Sequence, residues 1–165
     1  ATLRNLGHAH LGAGDFAAAH EAYRRAATLE PGDAMGWYWA SQACYALSRW
    51  PEVIRYARQG LSADPGCLRC RFNLGIGLQA TDQLDEAMQH YDRLAAADLG
   101  PEAWMRDDLG LNRATVQATL GRHEDAAASL REVFARSPDR LASTLEIDPL
   151  VTALGRETIE ACASR

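Results

Sequence analysis

Pro31 and Pro65 stand 34 residues apart, in the segments LEPGDA and ADPGCL. A fixed internal period restricts a fold more than composition does, because one small unit must be built and stacked repeatedly. Other residues fall on the same frame. Ala19, Tyr23 and Ala26 return 68 residues later as Ala87, Tyr91 and Leu94, and Leu6-Gly7 returns as Leu74-Gly75. Four turn-like segments align as well: GDFAAA at 14–19, SRWPEV at 48–53, DQLDEA at 82–87 and GRHEDA at 121–126. The first three begin 34 apart and the fourth follows after 39, so five additional residues fall near DLGPEAW. There Gly100-Pro101 interrupts any helix.

Each period reads as two helices. Alanine is abundant and β-branched residues are sparse, which favours helix over strand. The expected spans are 2–13 with 16–29, 34–47 with 51–63, 68–80 with 84–97, and 102–120 with 123–136. Short turns make each pair antiparallel. Pro51 suits a first helical turn, and Asp33 and Asp82 suit N-terminal caps. Asp85-Glu86 and Glu124-Asp125 open second helices, where carboxylates meet the positive helix end. The tail reads as a short helix, a break at Asp148-Pro149 and a closing helix near 150–163.

On these residues the chain resembles the tetratricopeptide repeat (TPR) family. Leu6, Gly7, Ala19, Tyr23, Ala26 and Pro31 carry the match in the first unit, and Trp37 and Pro65 in the second. Leu74, Gly75, Ala87 and Tyr91 carry it in the third, Ala126 and Pro138 in the fourth. The second unit departs, with Ser41, Val53, Ala57 and Gly60 where the family pattern has Gly, Ala, a large aromatic and Ala. The resemblance implies an all-α, right-handed superhelical solenoid of about four helix pairs. The repeats would run 1–33, 34–67, 68–101 and 102–138, with a capping segment over 139–165. One helix pair cannot bury its apolar face alone; stacked pairs can.

The segment MGWYWASQACY (35–45) holds more large rings than one buried stripe accommodates. By resemblance Trp37 fills a structural slot between helices. Tyr38 and Trp39 then point elsewhere, about 100° apart per residue, and the first helices of TPR pairs line the concave side. The resemblance thus implies a groove lined by Arg4, Asn5, His8, Met35, Tyr38, Trp39, Gln42, Tyr45, Arg69, Phe72, Asn73, Ile76 and Asn112. One slot reads Asn5, Trp39, Asn73, Asn112. In several TPR proteins asparagines there hold an extended peptide, since an amide both donates and accepts; the alternative is asparagine solvated on a helix surface. Arg4 and Arg69 suit a partner carboxylate. A TPR subclass grips acidic chaperone tails with a carboxylate clamp. The matching positions here, Arg4, His8, Trp39, Arg69 and Asn73, form a degraded version of it.

The net charge is −5 with no basic block, and all 17 basic residues are arginine, a bias that fits a GC-rich, bacterial genome. That balance lacks the footprint of a nucleic-acid binder. No apolar run approaches 18 residues, so membrane insertion is not expected. The opening ATLRNLG, without an initiator Met, reads as a piece of a longer protein. The cysteines at 44, 67, 70 and 162 read as reduced thiols of a cytoplasmic protein. Cys67-Leu-Arg-Cys70 has neither a preceding strand nor a second pair, so it reads as incidental. Cys44 is expected between helices and Cys162 in the closing helix. The histidines at 8, 10, 20, 90 and 123 form no catalytic or metal spacing, and no phosphate loop or nucleophile elbow occurs. Neither a cofactor nor a metal is expected, and the chain reads as a non-enzymatic interaction module for a peptide or protein segment. Two alternatives stay open: a TPR accessory domain of a larger modular enzyme, and a self-associating array.

Overall fold

The computed structural model describes residues 2–138; the expected capping segment and Cys162 lie outside them. All regular structure among the described residues is helical. The helices are α1 Leu3–Gly12, α2 Phe16–Leu29, α3 Ala34–Ala46, α4 Trp50–Ala63, α5 Leu68–Ala80, α6 Leu84–Ala95, α7 Arg106–Thr119 and α8 His123–Arg136. None is long and apolar enough to cross a membrane. The chain forms two compact units, Ala1–His90 and Tyr91–Arg165, and the division falls within α6. In the first unit α1 packs on α2, α2 on α3, α3 on α4 and α4 on α5, and α3 also touches α5. In the second, α7 packs on α8.

The helices match the expected spans closely at every element but one. Where one helix was expected from 102, Gly100–Met105 is a 3-10 helix and α7 starts at Arg106. Gly100 has φ +45 and Pro101 follows it. The five additional residues are taken up in this tighter winding, which periodicity cannot distinguish from α-helix because both place apolar residues three or four apart.

The turns inside the helix pairs share one design. Gly14, Ser48, Asp82 and Gly121, the first residues of the four aligned segments, have φ of 76°, 55°, 60° and 75°. The next N–H reaches back five residues in every case: Asp15 to His10 at 2.9 Å, Arg49 to Cys44 at 2.9 Å, Gln83 to Leu78 at 2.9 Å, and Arg122 to Gln117 at 2.8 Å. This bond closes the end of the preceding helix and satisfies a carbonyl that would otherwise lack a partner. Asp82, expected as the cap of α6, instead holds the left-handed position, and α6 begins two residues later. Asp33 does cap α3, its Oδ1 accepting from the Met35 N–H at 3.0 Å. Pro51 sits in the first turn of α4.

Small residues let the helices approach. A Cβ on Gly7 would lie 2.5 Å from the Tyr23 ring, and one on Gly60 would lie 2.5 Å from Cys70 Sγ. Gly60 therefore replaces the pattern's alanine for a local reason. The first unit's core gathers Ala19, Tyr23, Ala40, Ala43, Cys44, Val53 and Tyr56. Trp37 packs against it, stacked on Tyr56 at 5.9 Å with Nε1–H donated to the Pro31 carbonyl at 2.9 Å. In the second unit Ala114, Ala118, Ala126 and Leu130 form the core, with Leu111 and Phe134 against it. There the Ser129 hydroxyl donates to Gln117 Oε1 at 2.9 Å, so a buried amide has its partner.

The left-handed turns generate a prediction. A non-glycine residue pays a steric penalty in that conformation, whereas glycine does not. Ser48→Gly and Asp82→Gly should each raise stability by roughly 0.5–1 kcal/mol, and Gly14→Ala and Gly121→Ala should each lower it by about 1 kcal/mol. Urea unfolding followed by circular dichroism measures both; opposite signs at 48 and 82 would exclude the shared turn.

Candidate functional site

Twelve of the thirteen residues expected to line a groove lie on α1, α3 and α5, the first helices of their pairs. The thirteenth, Asn112, is half-buried on α7 in the second unit. Within the first unit the twelve differ in depth. Arg4, Asn5, His8 and Tyr45 are exposed; Met35, Trp39, Gln42, Arg69 and Ile76 are half-buried; Tyr38, Phe72 and Asn73 are buried.

Trp39 is the hub. His8 meets its ring edge-on at 4.6 Å, Tyr38 lies at 4.9 Å, and Tyr23 stacks beneath it at 5.9 Å. Such ring pairs add about 0.5–1.5 kcal/mol beyond the area they bury, so the Trp39 indole is held in one orientation. Tyr23 also lies 2.7 Å from His8 Nδ1 through its hydroxyl. Burial pushes the Tyr23 phenol up to about 12, so it stays protonated and keeps that bond. Tyr23 was legible only as a repeat residue. Its second role, fixing His8 and Trp39 from below, depends on the crossing of α1, α2 and α3.

Other residues frame this cluster. The Arg69 guanidinium lies 5.5 Å from the Tyr38 ring centre and joins α5 to α3 by a cation–π contact. Arg4 Nη1 pairs with Asp33 Oδ2 at 2.8 Å, so α1 is tied to the cap of α3. Met35 packs against Ala34, Tyr38, Cys67 and Cys70. Tyr45 leans edge-on against Trp50 at 5.6 Å, near the α3–α4 turn.

The periodic asparagines separate. Asn73 Nδ2 donates to Ser41 Oγ at 2.7 Å, and the Ser41 hydroxyl donates to the Tyr38 carbonyl at 2.7 Å. Both side chains are buried. Ser41 stands where the family pattern has glycine, and its hydroxyl supplies the partner that draws Asn73 into the α3–α5 interface. Asn5 is exposed, with its backbone N–H held by Thr2 Oγ1 at 3.3 Å.

The expectation of reduced thiols is corrected at one pair. Cys67 and Cys70 are joined by a disulfide across the first turn of α5. Cys67 is the N-cap residue of that helix, and its sulfur accepts from the Cys70 N–H at 3.2 Å. The cap brings the two Cα atoms to 5.3 Å, within bonding range. Cys44 is buried between helices, as expected, and is the one free cysteine among the described residues.

Tetratricopeptide repeat models match residues 4–66, and residues 68–93 and 109–132. No curated protein sequence matches the chain. Several solved structures share the fold. MamA 41-end from Desulfovibrio magneticus RS-1 is 14% identical, with a TM-score of 0.79 over 98% of this chain and 90% of that one. PilW, a widely conserved type IV pilus biogenesis factor, is 20% identical, with a TM-score of 0.78 over 93% of this chain and 69% of that one. The TPR2B domain of yeast Sti1, in a complex with pHsp70, is 19% identical, with a TM-score of 0.66 over 71% of this chain and 94% of that one. These likenesses place the fold in the all-α TPR solenoid class.

The buried Asn73–Ser41 pair is testable. Ser41→Ala strands a buried amide and should cost about 1–3 kcal/mol. Asn73→Leu added to Ser41→Ala should cost less than the sum of the two single changes. Urea unfolding of the four chains measures the coupling, and strict additivity would show that the two side chains do not pair.

Proposed function

Because the chain belongs to the tetratricopeptide repeat family, we propose that it is a protein-interaction scaffold that takes an extended partner segment on the α1–α3–α5 surface. The reading rests on one observation: a half-exposed indole, fixed by His8, Tyr23 and Tyr38, beside exposed Asn5 and half-buried Gln42. A rigid ring with amides next to it is what a peptide needs from a binding face. The ring takes an apolar side chain at low entropy cost, and the amides take backbone groups. Arg69, already beside Tyr38, meets a carboxylate at the rim. Of the solved relatives, the Sti1 domain carries a bound partner in its structure.

This partner is not an acidic chaperone tail. His8 and Trp39 occupy two of the clamp positions, and the Asn73 amide is engaged by Ser41. The preferred segment has an aromatic or large aliphatic anchor and at most one acidic group. The chain performs no chemical step in this reading.

Peptides selected from a random library against the wild-type protein test the reading. Binding should fall at least tenfold in Asn5→Ala/Gln42→Ala, with the far-ultraviolet circular dichroism unchanged, since both side chains reach the surface. Selected peptides that bind both proteins equally would place recognition on another face.

A second reading, self-association, has its own observation. Leu29 is 73% exposed and Leu6 46% exposed, on α2 and α1. Sedimentation velocity at rising concentration separates the two: a concentration-dependent increase that Leu29→Glu abolishes favours association, and a constant value excludes it.

A further inference from the structure

Three different ligand types converge in the first unit, away from the α1–α3–α5 surface. A ring nitrogen of His20 on α2, Cys44 Sγ on α3 and a Glu52 carboxylate oxygen on α4 lie within 4.8 Å of one another. Cys44 Sγ is 3.8 Å from Glu52 Oε2. Cys44 is fully buried in the apolar core of the first unit, and its thiol also meets a carboxylate there. His20 and Glu52 are half-buried, and the Glu52 side chain is 34% exposed, so the cluster borders the surface at Glu52.

We propose that His20, Cys44 and Glu52 bind a single zinc ion that staples α2, α3 and α4 together.

The donor set fits this metal. Imidazole, thiolate and carboxylate are all zinc ligands, and three protein ligands leave a fourth tetrahedral position for water. The sulfur selects a borderline-soft cation over magnesium or calcium. The two anionic ligands neutralise the dication, so a buried site gains no net charge. Ligand atoms in a tetrahedral zinc site stand about 3–4 Å apart by bond-length geometry. The Cys44–Glu52 separation of 3.8 Å already satisfies this, and the His20 nitrogen lies within 4.8 Å of both.

Without metal, each ligand is engaged by its surroundings. Burial lowers the His20 pKa, so its ring is neutral. Arg55 Nη2 donates to Tyr56 Oη at 3.0 Å, and Tyr56 Oη lies 3.2 Å from His20 Nε2. The phenol hydrogen is therefore directed to Nε2, which faces Tyr56 with its lone pair. Arg49 and Arg55 stand 3.6 Å and 3.7 Å from Glu52 and pair with its carboxylate. Without metal, burial pushes the Cys44 thiol up to about 12. On binding, the thiol proton passes to solvent, the sulfur bonds to the ion, and no electron is transferred.

Cobalt(II) is the probe, because a thiolate bound to it gives a near-ultraviolet charge-transfer band and tetrahedral ligation gives strong visible bands. A full chain with Cys67, Cys70 and Cys162 changed to alanine should take one cobalt per chain, show both bands and release the ion to zinc. Cys44→Ala should abolish the bands, and His20→Gln and Glu52→Gln should each weaken binding at least tenfold. Tyr56→Phe removes the competing hydrogen bond, and Arg49→Gln a competing cation; both should leave affinity equal or higher. Helicity is followed throughout. If Cys44→Ala unfolds, the His20→Gln and Glu52→Gln results decide. No thiolate band in the chain that keeps only Cys44, or unchanged affinity in His20→Gln, would overturn the assignment.

Discussion

Close approach of helices at small residues is the constraint on which the rest of the structure depends. Gly7 lies under the Tyr23 ring, Gly60 under Cys70 Sγ and Gly110 under Val133. A single methyl at Gly110 would stand 2.3 Å from Val133 Cγ2. Packed interiors do not absorb such overlap without shifting, and overpacking costs about 1–3 kcal/mol. His8, Tyr23 and Trp39 interlock only because α1, α2 and α3 meet this closely. The α1–α3–α5 surface and the His20–Cys44–Glu52 cluster are both consequences of the same crossing geometry.

The period made the fold legible, because each turn must close a helix in the same way. Gly14, Ser48, Asp82 and Gly121 mark that closure with four left-handed residues at intervals of 34, 34 and 39. Helix positions followed directly from it. What the period could not show is which short-range winding fills an insertion, so the 3-10 helix at Gly100–Met105 read as α-helix. Nor does it separate an N-cap aspartate from one in a left-handed turn, since Asp suits both. Asp33 took the first role and Asp82 the second.

The site was less legible, for a physical reason. A repeat register assigns a residue to a helix face but not to a depth. Asn5 and Asn73 share a slot, yet one is exposed and the other buried. The deciding residue is Ser41, 32 positions from Asn73, whose hydroxyl offers a partner that glycine would not. The same limit hides the His20, Cys44 and Glu52 cluster. Metal motifs are recognised when two ligands share one turn of helix or one loop; here each comes from a different helix, and only packing brings them together. The Cys67–Cys70 pair erred in the opposite sense. Its spacing was visible, but the capping of α5 that joins the sulfurs was not.

Helix α3 shows why so much polar and aromatic chemistry collects in one place. Its buried residues, Ala34, Gly36, Tyr38, Ala40, Ser41, Ala43 and Cys44, wrap most of the axis, and Met35, Trp39, Gln42 and Ala46 fall on the arc that is not buried. A helix enclosed on most sides has little solvated surface on which polar atoms can be satisfied by water. Its buried Ser41 and Cys44 both have protein partners: Ser41 bonds the Tyr38 carbonyl and Asn73, and Cys44 faces Glu52. The large rings obey the same logic. Trp37 goes to the α4 side on Tyr56, Tyr38 lies beneath Arg69 of α5, and Trp39 turns to α1 and His8. The crowding of aromatics in 35–45 therefore reflects a helix with neighbours on most sides. Of these three rings Tyr38 is buried, and Trp37 and Trp39 are both half-buried, Trp37 against Tyr56 and Trp39 against His8 and Tyr23.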